Sequence, residues 1–222
     1  YARPKVIEHS LKDKLSNEDI VKNNDIIVKD VNIRQMMFRL FNKCSDCDCS
    51  NKCKALRSLP SGSPSSQVMF INKQPTEYET VMSTSCSDRA GILFSVILDK
   101  MHVPRYSVYC TDVVKCNTIP NKSCFDTCVN NYISKEIDIV SPKLIICNGL
   151  SVLKVCASNN IFLGLPSDVT YGNIYNIKLQ NGCDSKIIAI YDLDTVLQKE
   201  DYNRYKTELW SQVVNAFKNL YC

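Results

Sequence analysis

The sequence lacks several features that would assign it to a class at once. No apolar run approaches the length of a membrane span, and no signal peptide opens the chain, which begins at Tyr1 rather than at Met. Histidine occurs only twice, and 27 basic residues nearly balance 23 acidic ones. The net charge of +4 permits a nucleic-acid partner without arguing for one. We therefore expect a protein without a membrane partner, either processed or part of a longer chain.

Cysteine, by contrast, is unusually frequent, with 13 residues. An odd count without a secretory signal argues against a disulfide scaffold and for a reducing intracellular compartment. Cys110, Cys147 and Cys156 lie in apolar segments and are predicted to be small core residues. A separate loop, residues 44–53, reads C-x-x-C-x-C-x-x-x-C, a spacing typical of a metal or iron–sulfur site.

The order of apolar segments predicts an α/β fold. Four short runs, rich in β-branched residues, are apolar on both faces, as buried parallel strands are; they lie near residues 67–71, 106–114, 143–148 and 186–191. Helical patterns precede, separate and follow them, near residues 31–42, 90–101, 123–139, 149–159 and 201–220. We therefore predict a three-layer α/β/α sandwich with a four-stranded parallel sheet over residues 31–222. Residues 1–30 are predicted to form an N-terminal extension.

Four segments occur in an order that is specific for one family. They are VMFI at Val68–Ile71, DRAGILFSVILDKM at Asp88–Met101, YSVYCTDVVKC at Tyr106–Cys116 and SPKLIICNG at Ser141–Gly149. Together they resemble the uracil-DNA glycosylase superfamily, specifically its iron–sulfur branch, family four, from about Val31 onward. The resemblance implies a uracil-DNA glycosylase-like domain and DNA as a partner.

The same resemblance implies a metal centre. In the family, a [4Fe–4S] cluster is held by a C-x-x-C pair, by the cysteine of the V-K-C segment and by one in the following helix, which here correspond to Cys44, Cys47, Cys116 and Cys128. Cys49 with Cys53 is a competing N-terminal pair, and Cys124 is an alternative to Cys128. Zinc is the alternative cofactor, because four cysteines bind either metal.

The positions that carry excision chemistry in the family hold different residues here. Lys73 replaces the carboxylate of the first turn, and an ammonium there opposes the cationic sugar that develops as the base leaves. Cys86 replaces the aromatic residue that stacks on the flipped base, and Asp112 replaces the asparagine that reads its edge. Asp192 replaces the histidine that stabilises the departing uracil anion. Two carboxylates that follow Lys73 are candidate substitutes, Glu77 and Glu79.

DNA contacts are predicted at three positions. Lys115 and Lys122 belong to a group of basic residues around the cysteine loop, and Leu193 lies on the loop that enters the minor groove in the family. Asp194 follows Leu193 and opposes phosphate on that loop. The two histidines, His9 and His102, match none of the motifs.

These observations predict a catalytically degenerate glycosylase fold that serves as an iron–sulfur module for binding DNA or protein. We expect a role in viral or phage DNA replication or repair, beside a replication or polymerase partner, in the cytoplasm or nucleus of a host. One alternative is an active glycosylase with altered specificity for a modified pyrimidine, in which Asp112, Asp192 and Asp194 act as acid and base. The other is a pure protein-interaction module.

Overall fold

The computed structural model describes residues 17–43, 57–117, 119 and 121–220. A six-stranded mixed sheet forms its centre, with strand order β2-β1-β3-β6-β5-β4. The strands are β1 (Val68–Asn72), β2 (Val108–Asp112), β3 (Leu144–Asn148), β4 (Phe162–Leu163), β5 (Ile174–Leu179) and β6 (Asp184–Ile190). Strands β2, β1, β3 and β6 pair in parallel, whereas β5 is antiparallel to β6 and to β4.

Helices occupy both faces of this sheet. They are α1 (Asn17–Lys43), α2 (Glu77–Val81), α3 (Arg89–Lys100), α4 (Lys122–Cys128), α5 (Ser134–Val140), α6 (Leu150–Ser158), α7 (Leu193–Leu197) and α8 (Tyr202–Lys218). A π-helical segment, Val129–Ile133, joins α4 to α5. Asp88 begins α3 by accepting a hydrogen bond from the backbone of Gly91, as an N-cap aspartate does.

Two apolar cores lie on opposite faces of the sheet, because side chains alternate along each buried strand. Met69 and Ile71 of β1 face the core shared with α4, α5 and α6, whereas Val68 and Phe70 face the core shared with α3, α7 and α8. The α/β class is therefore confirmed. Within the described ranges, no helix combines the length and the apolar character needed to cross a bilayer.

The predicted sheet of four parallel strands is wrong in its strand count and its type. All four predicted strands are present, but β4 and β5 extend the sheet in antiparallel orientation. Strand β5 alternates exposed Asn176 and Lys178 with buried Ile177 and Leu179. This half-polar pattern is typical of an antiparallel strand with one open face, and a search for strands that are apolar on both faces misses it.

The first helix is longer than the sequence predicts. It begins at Asn17 rather than near residue 31, and Ile33 is buried on its inner side while residues 22–28 are exposed. Residue 30, where the extension was predicted to end, lies inside this continuous helix. The division of the chain into residues 1–30 and 31–222 stays a prediction.

Candidate functional site

Polar side chains meet where the parallel strands end, the edge at which open α/β sheets bind ligands. Asn72 and Asp112 are aligned partners at the ends of β1 and β2. The Asn72 side-chain amide donates to Cys86 Sγ at 3.1 Å, and Asn72 Oδ1 accepts from Asn148 Nδ2 at 2.8 Å. Asn148 Oδ1 in turn accepts from the backbone N–H of Leu193 at 2.9 Å. The network formed by Asn72, Cys86 and Asn148 thus connects the predicted catalytic segments with one another.

Asp112 is enclosed beneath this network, with no solvent exposure. Its Oδ2 accepts from Ser58 Oγ at 2.5 Å, while Oδ1 has no hydrogen-bond partner among the described residues. Burial raises the pKa of Asp112, and the Ser58 hydrogen bond and the charge of Lys115 only partly oppose this rise. The shift stabilises the neutral acid, which both donates and accepts, relative to the purely accepting carboxylate.

Glu79, a candidate substitute for the missing carboxylate, is turned inward. Its Oε2 accepts from Thr76 N at 2.8 Å and from Thr76 Oγ1 at 3.1 Å, and its Oε1 accepts from Ser87 N at 3.3 Å. This is a capping box at the start of α2. Burial, followed by the nearby charge of Asp112, raises the pKa of Glu79 to about 7. Glu77, the other candidate, is exposed to solvent.

Lys73 and Cys86 have opposite environments. Lys73 is exposed, and its Nζ lies 5.9 Å from the centre of the Phe125 ring. Cys86 is buried at a positive φ of 57°, and a Cβ added to Gly91 would come within 2.2 Å of the Cys86 carbonyl oxygen. Burial, followed by a neighbouring thiol at Cys110, raises the pKa of Cys86 well above its ordinary value. The turn is therefore packed tightly against α3 around an uncharged thiol.

The predicted groove-entering loop is part of a helix start. Asp192 N-caps α7 by accepting from Thr195 N at 2.8 Å. Asp194 is exposed in the first turn of α7. Partial desolvation of its carboxyl group, followed by the nearby charges of Asp88 and Asp192, nevertheless raises its pKa. Leu193 is fully buried in the core beside α8. Its side chain points into the protein, so the predicted contact of Leu193 with DNA would need this segment to rearrange, and it stays a prediction.

Lys115 is also buried, with 3% of its side chain exposed. Its Nζ pairs with Glu136 Oε1 at 2.5 Å and donates to Thr111 Oγ1 at 2.6 Å, and the Tyr109 hydroxyl donates to Glu136 Oε2 at 3.4 Å. The charge of Lys115 is thus neutralised internally, and its contact with phosphate stays a prediction without support from this geometry. Lys122 is exposed at the start of α4, and its contact with DNA stays a prediction.

The predicted metal ligands fall into two groups. Cys44 and Cys47, with the competing Cys49 and Cys53, lie outside the described residues. Cys116 and Cys128 are buried, and Cys124 lies one turn before Cys128 on α4. In the described part of the chain, no group of three metal-binding side chains occurs.

Cys116 has one described backbone contact with the segment that follows the cysteine loop in sequence. Arg57, the first described residue after the loop, pairs with Cys116 in an isolated β-bridge. The thiols of Cys116 and Cys128 are soft ligands that fit either an iron–sulfur cluster or zinc.

Comparison with known proteins identifies the family. A model of the uracil DNA glycosylase superfamily matches residues 59–214. The chain belongs to this superfamily. A type-4 uracil-DNA glycosylase of Archaeoglobus fulgidus is 25% identical over 186 residues, which cover 80% of this chain and 86% of the relative. A second type-4 uracil-DNA glycosylase, from Sulfurisphaera tokodaii, is 30% identical over 92 residues, which cover 40% of this chain and 42% of the relative.

The family match contains all four positions at which the sequence analysis predicts replaced catalytic residues, Lys73, Cys86, Asp112 and Asp192. The structure brings Cys86 and Asp112 to the same strand ends, whereas Lys73 lies on the surface beside them. Sequence reasoning missed Asn72 and Asn148 as linking residues. Their position at the last residue of an apolar strand was the one signal that could have identified them.

Proposed function

We propose that this protein keeps the uracil-DNA glycosylase fold but does not excise uracil, and that it serves as an iron–sulfur DNA-binding module in replication or repair. The observation that carries the proposal is the closed site at the ends of β1 and β2. Asp112 has no solvent exposure, and the side chains of Asn72 and Cys86 are hydrogen-bonded to each other. A flipped base needs an open pocket that stacks on it and hydrogen-bonds its edge.

The charge of the first turn supports the same proposal. Breaking a glycosidic bond separates positive charge on the sugar from negative charge on the base, and preorganised opposite charges lower that barrier. Lys73 adds positive charge near the sugar, and Asp192 adds negative charge where the family has a histidine for the departing anion. Glu79 does not replace the missing carboxylate at the surface, because its Oε2 caps α2 and its Oε1 accepts from Ser87 N.

For the cofactor we propose a [4Fe–4S] cluster held by Cys44, Cys47, Cys116 and Cys128, with zinc as the alternative. The support is that Cys116 and Cys128 are buried in the same core, and that Cys116 pairs with Arg57, the first described residue after the cysteine loop. Such a metal centre would connect the end of α1, the end of β2 and α4. The protein's thiolates would hold it, and it would have a structural function, as closed four-thiolate sites have.

We propose DNA as the partner. Of the three residues predicted to contact DNA, Lys122 is the one that is exposed to solvent. A replication or polymerase protein as a second partner, and a viral or phage source, also stay predictions.

A second candidate function is excision of a modified pyrimidine. One observation favours it: Glu79, with a pKa of about 7, lies close enough to Asp112 for their charges to interact. A carboxyl group with a pKa near neutrality is suited to general acid–base catalysis. Use of this pair would require the buried site to open.

The two candidates are separated by an excision assay with a binding measurement on the same protein. Duplexes that contain uracil or hydroxymethyluracil are incubated with excess protein, with the Archaeoglobus type-4 enzyme as the positive control, and binding of the same duplexes is titrated at several salt concentrations. Salt-dependent binding without base release is the expected result. Release of uracil would overturn the proposal, release of hydroxymethyluracil alone would establish the second candidate, and absence of binding at low salt would leave a protein-interaction module.

A further inference from the structure

A cavity of about 640 Å³ lies at the opposite edge of the sheet from the degenerate site. It is formed where β3 and β6 begin, next to β5 and to the residues that follow α8. Its volume is within the range of small-molecule sites in proteins. The antiparallel strands β4 and β5, which the sequence analysis missed, form one wall.

Three lysines line this cavity, Lys143, Lys178 and Lys186. Lys186 donates a backbone hydrogen bond to the carbonyl of Lys143, so the two residues are neighbours. Asp184 is the acidic residue in the lining, and it lies 3.9 Å from Lys178 with 89% of its side chain exposed. Such an exposed pair is weak. The lining therefore keeps excess positive charge.

The environment of the Lys186 ammonium also favours an anionic ligand in this cavity. Its side chain is partly buried, and its ammonium donates to the backbone carbonyl of Asn219, which is a neutral acceptor. A partly desolvated ammonium gains more from an anionic partner than from a carbonyl.

Part of the remaining wall of the cavity is apolar. Leu163, the cross-strand partner of Lys178, is 55% exposed, and Leu220 lines the same space. Small-molecule sites combine such apolar surface with a few convergent polar groups. The lysines suit a phosphoryl group, and the leucines suit a planar or apolar group attached to it.

We propose that this cavity binds the phosphoryl group of a nucleotide, with the nucleoside packed against Leu163 and Leu220. The phosphoryl group belongs either to a free mononucleotide or to a nucleic-acid strand. The inference does not rest on the proposed function, because the cavity is remote from the carboxyl ends of the parallel strands.

The test uses the full chain and calorimetric titration with three probes: adenosine 5′-monophosphate, adenosine and a single-stranded oligonucleotide. The double variant K143Q/K178Q removes two exposed rim lysines without touching Lys186. Its matched control, K100Q/K154Q, removes two exposed lysines on α3 and α6. Charge-assisted hydrogen bonds are strong enough that loss of the two rim lysines is expected to weaken phosphate binding at least about tenfold.

Weaker binding of the monophosphate by K143Q/K178Q, unchanged binding by K100Q/K154Q and no binding of adenosine would support the proposal with a free nucleotide as ligand. The same pattern for the oligonucleotide alone would assign the phosphate to a nucleic-acid strand. Equal affinities of the two double variants for both phosphate probes would overturn the proposal, as would the absence of saturable binding at millimolar concentrations. The affinities for these three probes do not depend on whether the protein excises uracil. A negative result in this titration is therefore distinct from a negative result for the proposed function.

Discussion

The side-chain amide of Asn72 donates a hydrogen bond to Cys86 Sγ at 3.1 Å. This contact joins the end of β1 to the residue predicted to stand at the position of the stacking aromatic. It occupies polar groups that a flipped base would otherwise meet, and Cys86 itself is 6% exposed. If the proposed loss of excision is correct, it therefore involves the packing of the site as well as the charge of Lys73.

Restoring the carboxylate of the first turn is expected not to restore activity. K73E removes the positive charge that would destabilise the cationic sugar. Cys86 still lacks a stacking face, however, and Asp112 is still buried. We expect no release of uracil above the level without protein in a single-turnover assay. K100E, which makes the same charge change at an exposed site on α3, is the control. Excision by K73E alone would show that Lys73 is the only defect.

Glu79 is expected to make the protein less stable as the pH rises. Its pKa is raised to about 7 in the folded state from 4.5, so the folded state binds the proton more tightly than the unfolded chain. The stability contributed by the proton is complete below about pH 4.5 and is lost as pH rises to about 7, by at most roughly 3 kcal/mol. Urea unfolding of E79Q should show a weaker pH dependence across this window.

E77Q, on the same short helix, is the matched control for E79Q because Glu77 is exposed. It should keep the pH dependence of the unmodified protein. A pH dependence in E79Q equal to that of E77Q would contradict the assignment of the effect to Glu79.

The buried pair of Lys115 and Glu136 is expected to be strongly coupled. K115M leaves the Glu136 carboxylate buried without its counter-charge, and such a change costs about 3–5 kcal/mol of unfolding free energy. K115M/E136L removes both charges and should cost clearly less than the sum of the two single variants, as a double-mutant cycle from urea unfolding will measure. K122M, which alters an exposed lysine, should change stability by less than about 0.5 kcal/mol. Additive losses would show that the ion pair is not coupled.

The local pattern of apolar residues was sufficient to predict the parallel strands and most helices. A strand that is buried on both faces leaves a continuous apolar run, such as Val68–Ile71. It was insufficient for β5, whose open face carries Asn176 and Lys178. It also assigned Lys115 to the surface, since nothing local reveals that Glu136, 21 residues later, supplies a buried partner. The Asn72–Asn148 hydrogen bond likewise depends on β1 and β3 being neighbours in the sheet.

The cluster assignment predicts which cysteines can be removed without loss of the cofactor. Purified protein is expected to be brown, with absorption near about 400 nm from an iron–sulfur chromophore. C116A and C128A should lose this absorption and the bound iron, whereas C183A, at an exposed free cysteine, should keep both. Colourless protein with stoichiometric zinc would favour the alternative metal. Loss of iron in C124A but not in C128A would move the fourth ligand to Cys124.

Lys122 is expected to contribute to DNA binding through one phosphate contact. It is exposed at the start of α4, whereas the charge of Lys115 is neutralised by Glu136. Each phosphate contact releases condensed counterions, so K122Q should weaken binding of all duplex sequences alike and reduce the slope of log affinity against log salt by about one. K100Q, an equal charge change on α3, should leave the slope unchanged. Equal slopes for K122Q and K100Q would remove Lys122 from the interface and direct the search for DNA contacts to other exposed basic residues.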